Sequence, residues 1–151
     1  MNNKLAILVH FVSASLVAIV CACLMHTQVV LHELRNIDVA LTFQDYVYMS
    51  VQDLIGLIPT YGSVVTIGLG LSFICVVIIR KFPPFNHFFW YPIAGASAMY
   101  VIIQAMHPIL EITFLASTRS TTGIVLQMLA GAIGGLAFVY LRQRYHLSNA
   151  V

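Results

Sequence analysis

Charged side chains are scarce in this sequence. Seven Lys and Arg and five Asp and Glu make up 8% of its 151 residues, whereas 60% of the residues are hydrophobic. Soluble domains carry about 25% charged residues, and so few charges cannot cover a folded chain of this length without leaving very large apolar patches. The composition therefore excludes a soluble globular protein and also an intrinsically disordered one. It is typical of a membrane protein.

Several functional motifs are also missing. The sequence has no basic run, and its net charge is only +2, which argues against a nucleic-acid partner. The three cysteines, Cys21, Cys23 and Cys75, lie in apolar segments and make no disulfide framework. Neither HExxH, CxxC nor CxxCH occurs, and the serines in apolar segments have no neighbouring His and Asp in sequence. We therefore expect no catalytic residues.

Four segments have the length and composition of membrane spans, each of which needs about 20 mostly apolar residues. They cover approximately residues 5–30, 63–79, 88–107 (extending to 115 if the helix continues) and 122–141. The expected fold is all-α: a four-helix transmembrane bundle forming a single polytopic membrane domain over residues 1–151. No internal repeat supports an inverted-repeat transporter.

The positions of the charges predict the orientation of the spans. Five of the seven basic residues flank the ends that four alternating spans would place on one side: Lys4, Arg80, Lys81, Arg142 and Arg144. Because basic residues mark the cytoplasmic face, we expect both termini and the 80–87 loop to be cytoplasmic. All five acids then lie on the outer side. The short loops favour a bacterial inner membrane.

The connections differ in length. A short loop, with Pro83 and Pro84, joins spans two and three, and a predicted aromatic belt at the membrane surface follows it: Phe85, Phe88, Phe89, Trp90 and Tyr91. The outer loop, 31–62, is longer and contains a segment with helical amphipathic spacing at about 41–58. We expect this segment to form a helix that lies in the outer interface or folds back over the mouth of the bundle, either as a surface helix without a function or as a lid over a site. The residues 59–62 are expected to turn the chain into the second span.

Each span carries small residues at helical spacing, which allow close packing of helices in lipid. The fourth span has the clearest pair, Gly131 and Gly135; Gly68 and Ala98 belong to the stripes of the second and third spans, and Ala14, Ala18 and Ala22 to that of the first. Two interpretations stay open: packing within one chain, or docking of the fourth helix against another copy or another subunit.

Polar residues at membrane depth are the main functional candidates, because burying them is costly. Gln104 and Gln127 lie on the third and fourth spans near their outer ends. We expect them to hydrogen-bond to each other across the bundle as structural links, with a role in ligand binding as the alternative.

A second group of candidates lies at the outer mouth of the bundle. His26 and His107 occupy the same expected depth, Glu111 is four residues beyond His107, and Arg119 is near enough in sequence to pair with Glu111. This set is either an ordinary interfacial group or a binding site. As a site, His26, His107 and Glu111 suit zinc or iron, the two imidazoles suit a haem, and Arg119 suits an anionic or quinone-like headgroup.

These observations leave three functions open. The leading interpretation is a non-enzymatic membrane protein that works by helix association, as a homo-oligomer or as an accessory subunit. The second is a ligand, metal or haem site at the outer mouth. The third is a small oligomeric transporter, although the span centres contain no Asp, Glu, Lys or Arg to serve a proton-coupled pump. The lipid bilayer is a partner in all three.

Overall fold

The structure, a computed structural model, describes the backbone of residues 3–36, 42–79, 87–110 and 120–148 and the side chains of residues 5–36, 42–79, 88–106 and 120–145. These residues form four α-helices: α1 (Asn3–Asn36), α2 (Phe43–Ile79), α3 (His87–Leu110) and α4 (Thr121–Ser148). Each of the four is long and apolar enough to cross a membrane. The all-α class and the four potential spans predicted from the sequence are confirmed.

Local hydrogen bonds fix where two of the helices begin. Asp45 Oδ2 accepts from the Thr42 backbone N–H at 2.8 Å, so that Thr42 and Asp45 cap the first turn of α2. Ser120 Oγ accepts from the Gly123 N–H at 3.1 Å and caps α4. Both caps satisfy N–H groups that have no partner inside the helix.

Neighbouring helices are antiparallel and form a closed ring. Each helix packs against two others, in the order α1, α2, α3, α4 and back to α1. Along α1, Phe11 contacts Phe73 and Ile19 lies beside Gly62 of α2, whereas His10 contacts Tyr145 of α4. The start of α1 therefore lies with the ends of α2 and α4. We call this the basic end of the bundle, because it is next to residues 80–81 and 142–144 in the chain.

Helix α2 differs from the sequence-based expectation. The predicted turn at residues 59–62 is wrong, because α2 runs without a break from Phe43 to Ile79 with Pro59 inside it. Proline removes one backbone hydrogen bond, but an apolar environment penalises any further loss of backbone pairing, so that membrane helices tolerate it. Residues 31–36 also continue α1 rather than belonging to a loop.

The core near the basic end of the bundle is aromatic. Near the basic end, Phe73, Tyr91 and Phe138 form a triangle of rings with centroids 5.0 to 5.2 Å apart. Tyr91 is only 2% exposed, so its predicted place in an aromatic belt is wrong, while Phe88, Phe89 and Trp90 are exposed. Phe85 lies outside the described residues.

Small residues bring α4 very close to α3 and α1. A Cβ on Gly131 would collide with the carbonyl oxygen of Gly95, and a Cβ on Gly135 with that of Tyr91. On the other side, a Cβ on Gly134 would lie 2.6 Å from the Cβ of Ala18. The Gly131–Gly135 face is therefore occupied by α3 of the same chain.

Gly68 and Ala98, the small residues singled out on the second and third spans, also lie inside the bundle. A Cβ on Gly68 of α2 would meet the Ile102 side chain of α3, and Ala98 of α3 is buried.

Candidate functional site

Buried and half-buried polar side chains gather in the half of the bundle away from the basic end. They come from three helices: His26 and Thr27 of α1, Asp53 and Tyr61 of α2, and Gln127 of α4. We call these five residues the polar layer.

Thr27 and Asp53 join α1 to α2. Thr27 is 1% exposed, and its Oγ1 lies 2.8 Å from Asp53 Oδ2 and 3.0 Å from the carbonyl oxygen of Cys23. A hydroxyl has a single proton to donate, so the threonine shares it between the helix carbonyl and the carboxylate. The contact fixes a half-buried acid against the inner face of the α1–α2 hairpin.

His26 lies directly before Thr27 and is also buried, with 8% of its surface exposed. That threonine contacts Asp53. His26 is therefore next to the polar contact between α1 and α2.

Gln127 connects three helices. Its Oε1 accepts a hydrogen bond from the Tyr61 hydroxyl at 2.9 Å, and its Nε2 donates to the carbonyl oxygen of Ala22 at 3.0 Å. Both Gln127 and Tyr61 are 1% exposed. A buried amide that is satisfied on both sides specifies one arrangement of its neighbours, because any shift leaves polar atoms unpaired.

The predicted hydrogen bond between Gln104 and Gln127 is wrong. Gln104 faces outward, and its Nε2 donates to the Tyr100 hydroxyl one turn earlier on the same helix at 3.4 Å. The sequence places both glutamines near the outer ends of their spans, but the direction of each side chain depends on helix rotation, which depth alone does not fix.

The proposed site at the outer mouth is only partly described. His26 is placed as above, while Glu111 and Arg119 and the side chain of His107 lie outside the described residues. Within the described part of the chain, no group of three or more His, Cys, Asp and Glu residues is close enough to hold a metal ion.

A row of exposed apolar side chains lies on the outer face of α2, opposite the face that carries Asp53. The exposed fractions are 84% for Phe43, 50% for Val47, 50% for Val51 and 67% for Ile55. We call these four residues the α2 stripe. Their spacing of four residues makes one continuous ridge along the helix. A shallow groove of about 650 Å³ runs beside the ridge, between it and Gln28 of α1.

The amphipathic spacing of residues 41–58 predicts a helix with Asp53 on one face and Val47 and Val51 on the other, lying in the outer interface or folded back over the bundle mouth. The spacing does not decide which face meets another helix. In the structure the half-buried face of this segment includes Ser50 and Asp53, and α1 covers it. The four-residue spacing of apolar residues gives the stripe; only the partner helix α1 decides which face is outside.

Comparison with protein-family models, with curated proteins and with solved structures finds no match to this chain.

Proposed function

We propose that the protein is a subunit of a membrane assembly, formed with further copies of itself or as an accessory subunit of another complex, and that it associates through the α2 stripe. The four-helix bundle anchors the subunit in the bilayer. The end of the α1–α2 hairpin that carries the stripe is the docking element. The observation that carries the proposal is the exposure of the stripe at its position along α2.

That position lies beyond the length a span requires. Ile55 is 24 residues from Ile79 and Phe43 is 36 residues from it, which correspond to about 36 and 54 Å along a helix axis. The hydrocarbon core of a bilayer is about 30 Å thick. With residues 80–81 at one membrane surface, the stripe lies at or beyond the opposite headgroup level, where lipid tails do not cover it.

Exposed apolar rows outside the hydrocarbon are typical of protein–protein contacts. The stripe has the geometry for such a contact, since a ridge of residues four apart packs into the groove of a second helix. The groove next to Val47 and Val51 could in turn accept a ridge from the partner. The rest of the bundle is held by internal glycine contacts and buried hydrogen bonds, which supports a rigid platform for docking.

The orientation is part of the proposal. The basic residues next to the start of α1 and to the ends of α2 and α4 favour a cytoplasmic basic end, with both termini in the cytoplasm. The bundle then belongs to a bacterial inner membrane, and the α2 stripe faces the outer side.

Thiol cross-linking in membranes tests the association. In a Cys75→Ser background, Val51→Cys places a thiol on the stripe, and Gln52→Cys places a matched exposed thiol about 100° around the same helix. We expect a thiol cross-linker to join V51C chains into one defined product and Q52C chains into none. A product of twice the chain mass identifies a homo-oligomer. A single product that is heavier or lighter than twice the chain mass identifies an accessory subunit joined to a different protein.

A charge substitution provides the second measurement. Val47→Lys with Val51→Lys should reduce the particle, sized in a mild detergent, to a single chain, while Gln44→Lys with Gln52→Lys should leave it unchanged. The proposal is contradicted if the wild-type particle contains one chain and V51C gives no cross-linked product. It is also contradicted if V51C and Q52C give equal amounts of product.

A further inference from the structure

A cavity of about 500 Å³ opens between α1 and α2 near the basic end of the bundle. Its floor is the buried triangle of Phe73, Tyr91 and Phe138, so the cavity reaches the centre of the bundle. Its rim consists of exposed aliphatic residues such as Ile7 and Ile74. This volume is within the range of small-ligand sites, about 300–1,000 Å³.

The cavity extends along the direction of a lipid chain. Its lining on α2 runs from Gly70 to Ile78, about 12 Å along the helix axis. Ile78 is next to the last residue of α2, so the cavity begins at the level of the headgroups and continues into the hydrocarbon. Gly70 lines this space, and a Cβ there would meet only the Phe11 ring tip, at 3.4 Å, so that a larger side chain at this position has room to enter the cavity.

Arg142 of α4 is the only charged residue that lines the cavity within the described part of the chain. The acids that the structure describes, Glu33, Asp45 and Asp53, lie toward the other end of α1 and α2. Among the described residues, no acidic side chain is therefore available to neutralise this arginine. An arginine at the headgroup level binds phosphate oxygens well, through several donors in a fixed plane.

We propose that this cavity is a binding site for one anionic phospholipid of the surrounding bilayer. One acyl chain lies between α1 and α2 against the aromatic floor, and the phosphate headgroup pairs with Arg142. Basic pockets between membrane helices recognise anionic headgroups in this way. The apolar lining binds the acyl chain, and the arginine supplies the preference for a headgroup with a net negative charge. The site is independent of the α2 stripe, which lies at the opposite end of α2.

The test measures lipid binding by native mass spectrometry of the purified full chain in detergent. Phosphatidylglycerol and phosphatidylcholine with identical acyl chains are titrated separately, so that the two differ only in headgroup. We expect one tightly bound phosphatidylglycerol per chain and weaker binding of phosphatidylcholine. Equal affinities in the wild type would overturn the proposal in favour of a neutral chain-binding cavity.

Arginine variants test the headgroup contact. Arg142→Gln should weaken phosphatidylglycerol binding about fivefold, the contribution of one basic residue near an anionic lipid, and leave phosphatidylcholine binding unchanged. Arg142→Lys should retain most of the preference. Arg144→Gln is the matched control, because Arg144 lies over the Tyr140 ring at 5.3 Å and does not line the cavity. Equal losses of phosphatidylglycerol affinity in R142Q and R144Q would mean that the lipid responds to the overall positive charge of this end of the bundle. That result would overturn the proposed site.

Glycine variants test the cavity itself. Gly70→Leu fills it and should abolish the tight binding of phosphatidylglycerol, while Gly56→Leu, at a position with nothing within 4 Å, should not. Val77→Phe narrows the cavity from its exposed rim and replaces G70L if that variant does not fold. Wild-type lipid binding in a folded cavity-filling variant would overturn the proposal.

Discussion

The hydroxyl of Tyr61 on α2 donates a 2.9 Å hydrogen bond to Oε1 of Gln127 on α4. The two helices are not neighbours in the ring. The same amide binds the Ala22 carbonyl of α1 through Nε2. One buried side chain therefore ties together helices that pack on different sides of the bundle centre.

Replacing Gln127 should be much more costly than replacing Gln104. Gln127→Leu leaves the Tyr61 hydroxyl without its partner in a buried position, and we expect a loss of about 2 kcal/mol in unfolding free energy. Gln104→Leu is the matched control on an exposed position and should change stability by less than about 0.5 kcal/mol. Reversible denaturation in micelles measures both, and equal losses would contradict the role of Gln127.

The contact between Thr27 and Asp53 should appear as an energetic coupling. Thr27→Val and Asp53→Ala each remove one side of it, and the double variant completes a cycle. We expect a coupling of about 1 kcal/mol, typical of side-chain hydrogen bonds in membrane proteins. The control cycle combines Thr27→Val with Gln52→Ala, because the Gln52 side chain is exposed on α2, the helix that carries Asp53. This control cycle should show no coupling. Additive losses in the first cycle would mean that the contact does not stabilise the hairpin.

The glycine contacts between α3 and α4 should not tolerate a single methyl group. Gly131→Ala directs a Cβ at the Gly95 carbonyl, and overpacking of this kind costs about 1–3 kcal/mol. Gly56→Ala, in open space on α2, is the control and should not destabilise. Thermal unfolding in detergent makes the comparison. A G131A protein that unfolds like the wild type but forms smaller particles would instead place the glycine pair between chains.

Replacing Ser15 by alanine should increase the stability of the protein. The Ser15 Oγ is buried in α1 and is the one buried side-chain polar atom that lacks a hydrogen-bond partner among the described residues. Ser15→Ala removes that unpaired group, and we expect the unfolding free energy to rise by about 1 kcal/mol. Ser13→Ala, at a half-buried position on the same helix, provides the comparison. A clear loss of stability in S15A would indicate a partner for the hydroxyl.

The proposed orientation predicts a labelling pattern. In a Cys75→Ser background, Gln52→Cys should react in intact cells with a maleimide that does not cross membranes. Arg144→Cys should react only after the membrane is opened, because positive residues favour the cytoplasmic side. The opposite pattern would place the α2 stripe in the cytoplasm and leave its association to be tested there.

Composition and charge placement predict the class of fold well, because a span must be long, apolar and free of charge. They do not predict that α2 continues through Pro59, since the sequence signal of Pro59 with Gly62 is the same for a turn and for a proline held within a helix by its surroundings. The polar layer was missed in part for a related reason. Tyr61 becomes buried and Asp53 half-buried only because α1 and α4 pack beside them, and pairing between distant segments has no local signature.

The closure of the ring between α1 and α4 has a consequence for biosynthesis. Ala18 of the first helix packs against Gly134 of the last, and Ala22 pairs with Gln127. Ala18 is synthesised 116 residues before Gly134. The side of α1 that faces α4 is therefore uncovered until the final span enters the membrane, and during that interval it is a defined face for an insertion factor or chaperone to bind.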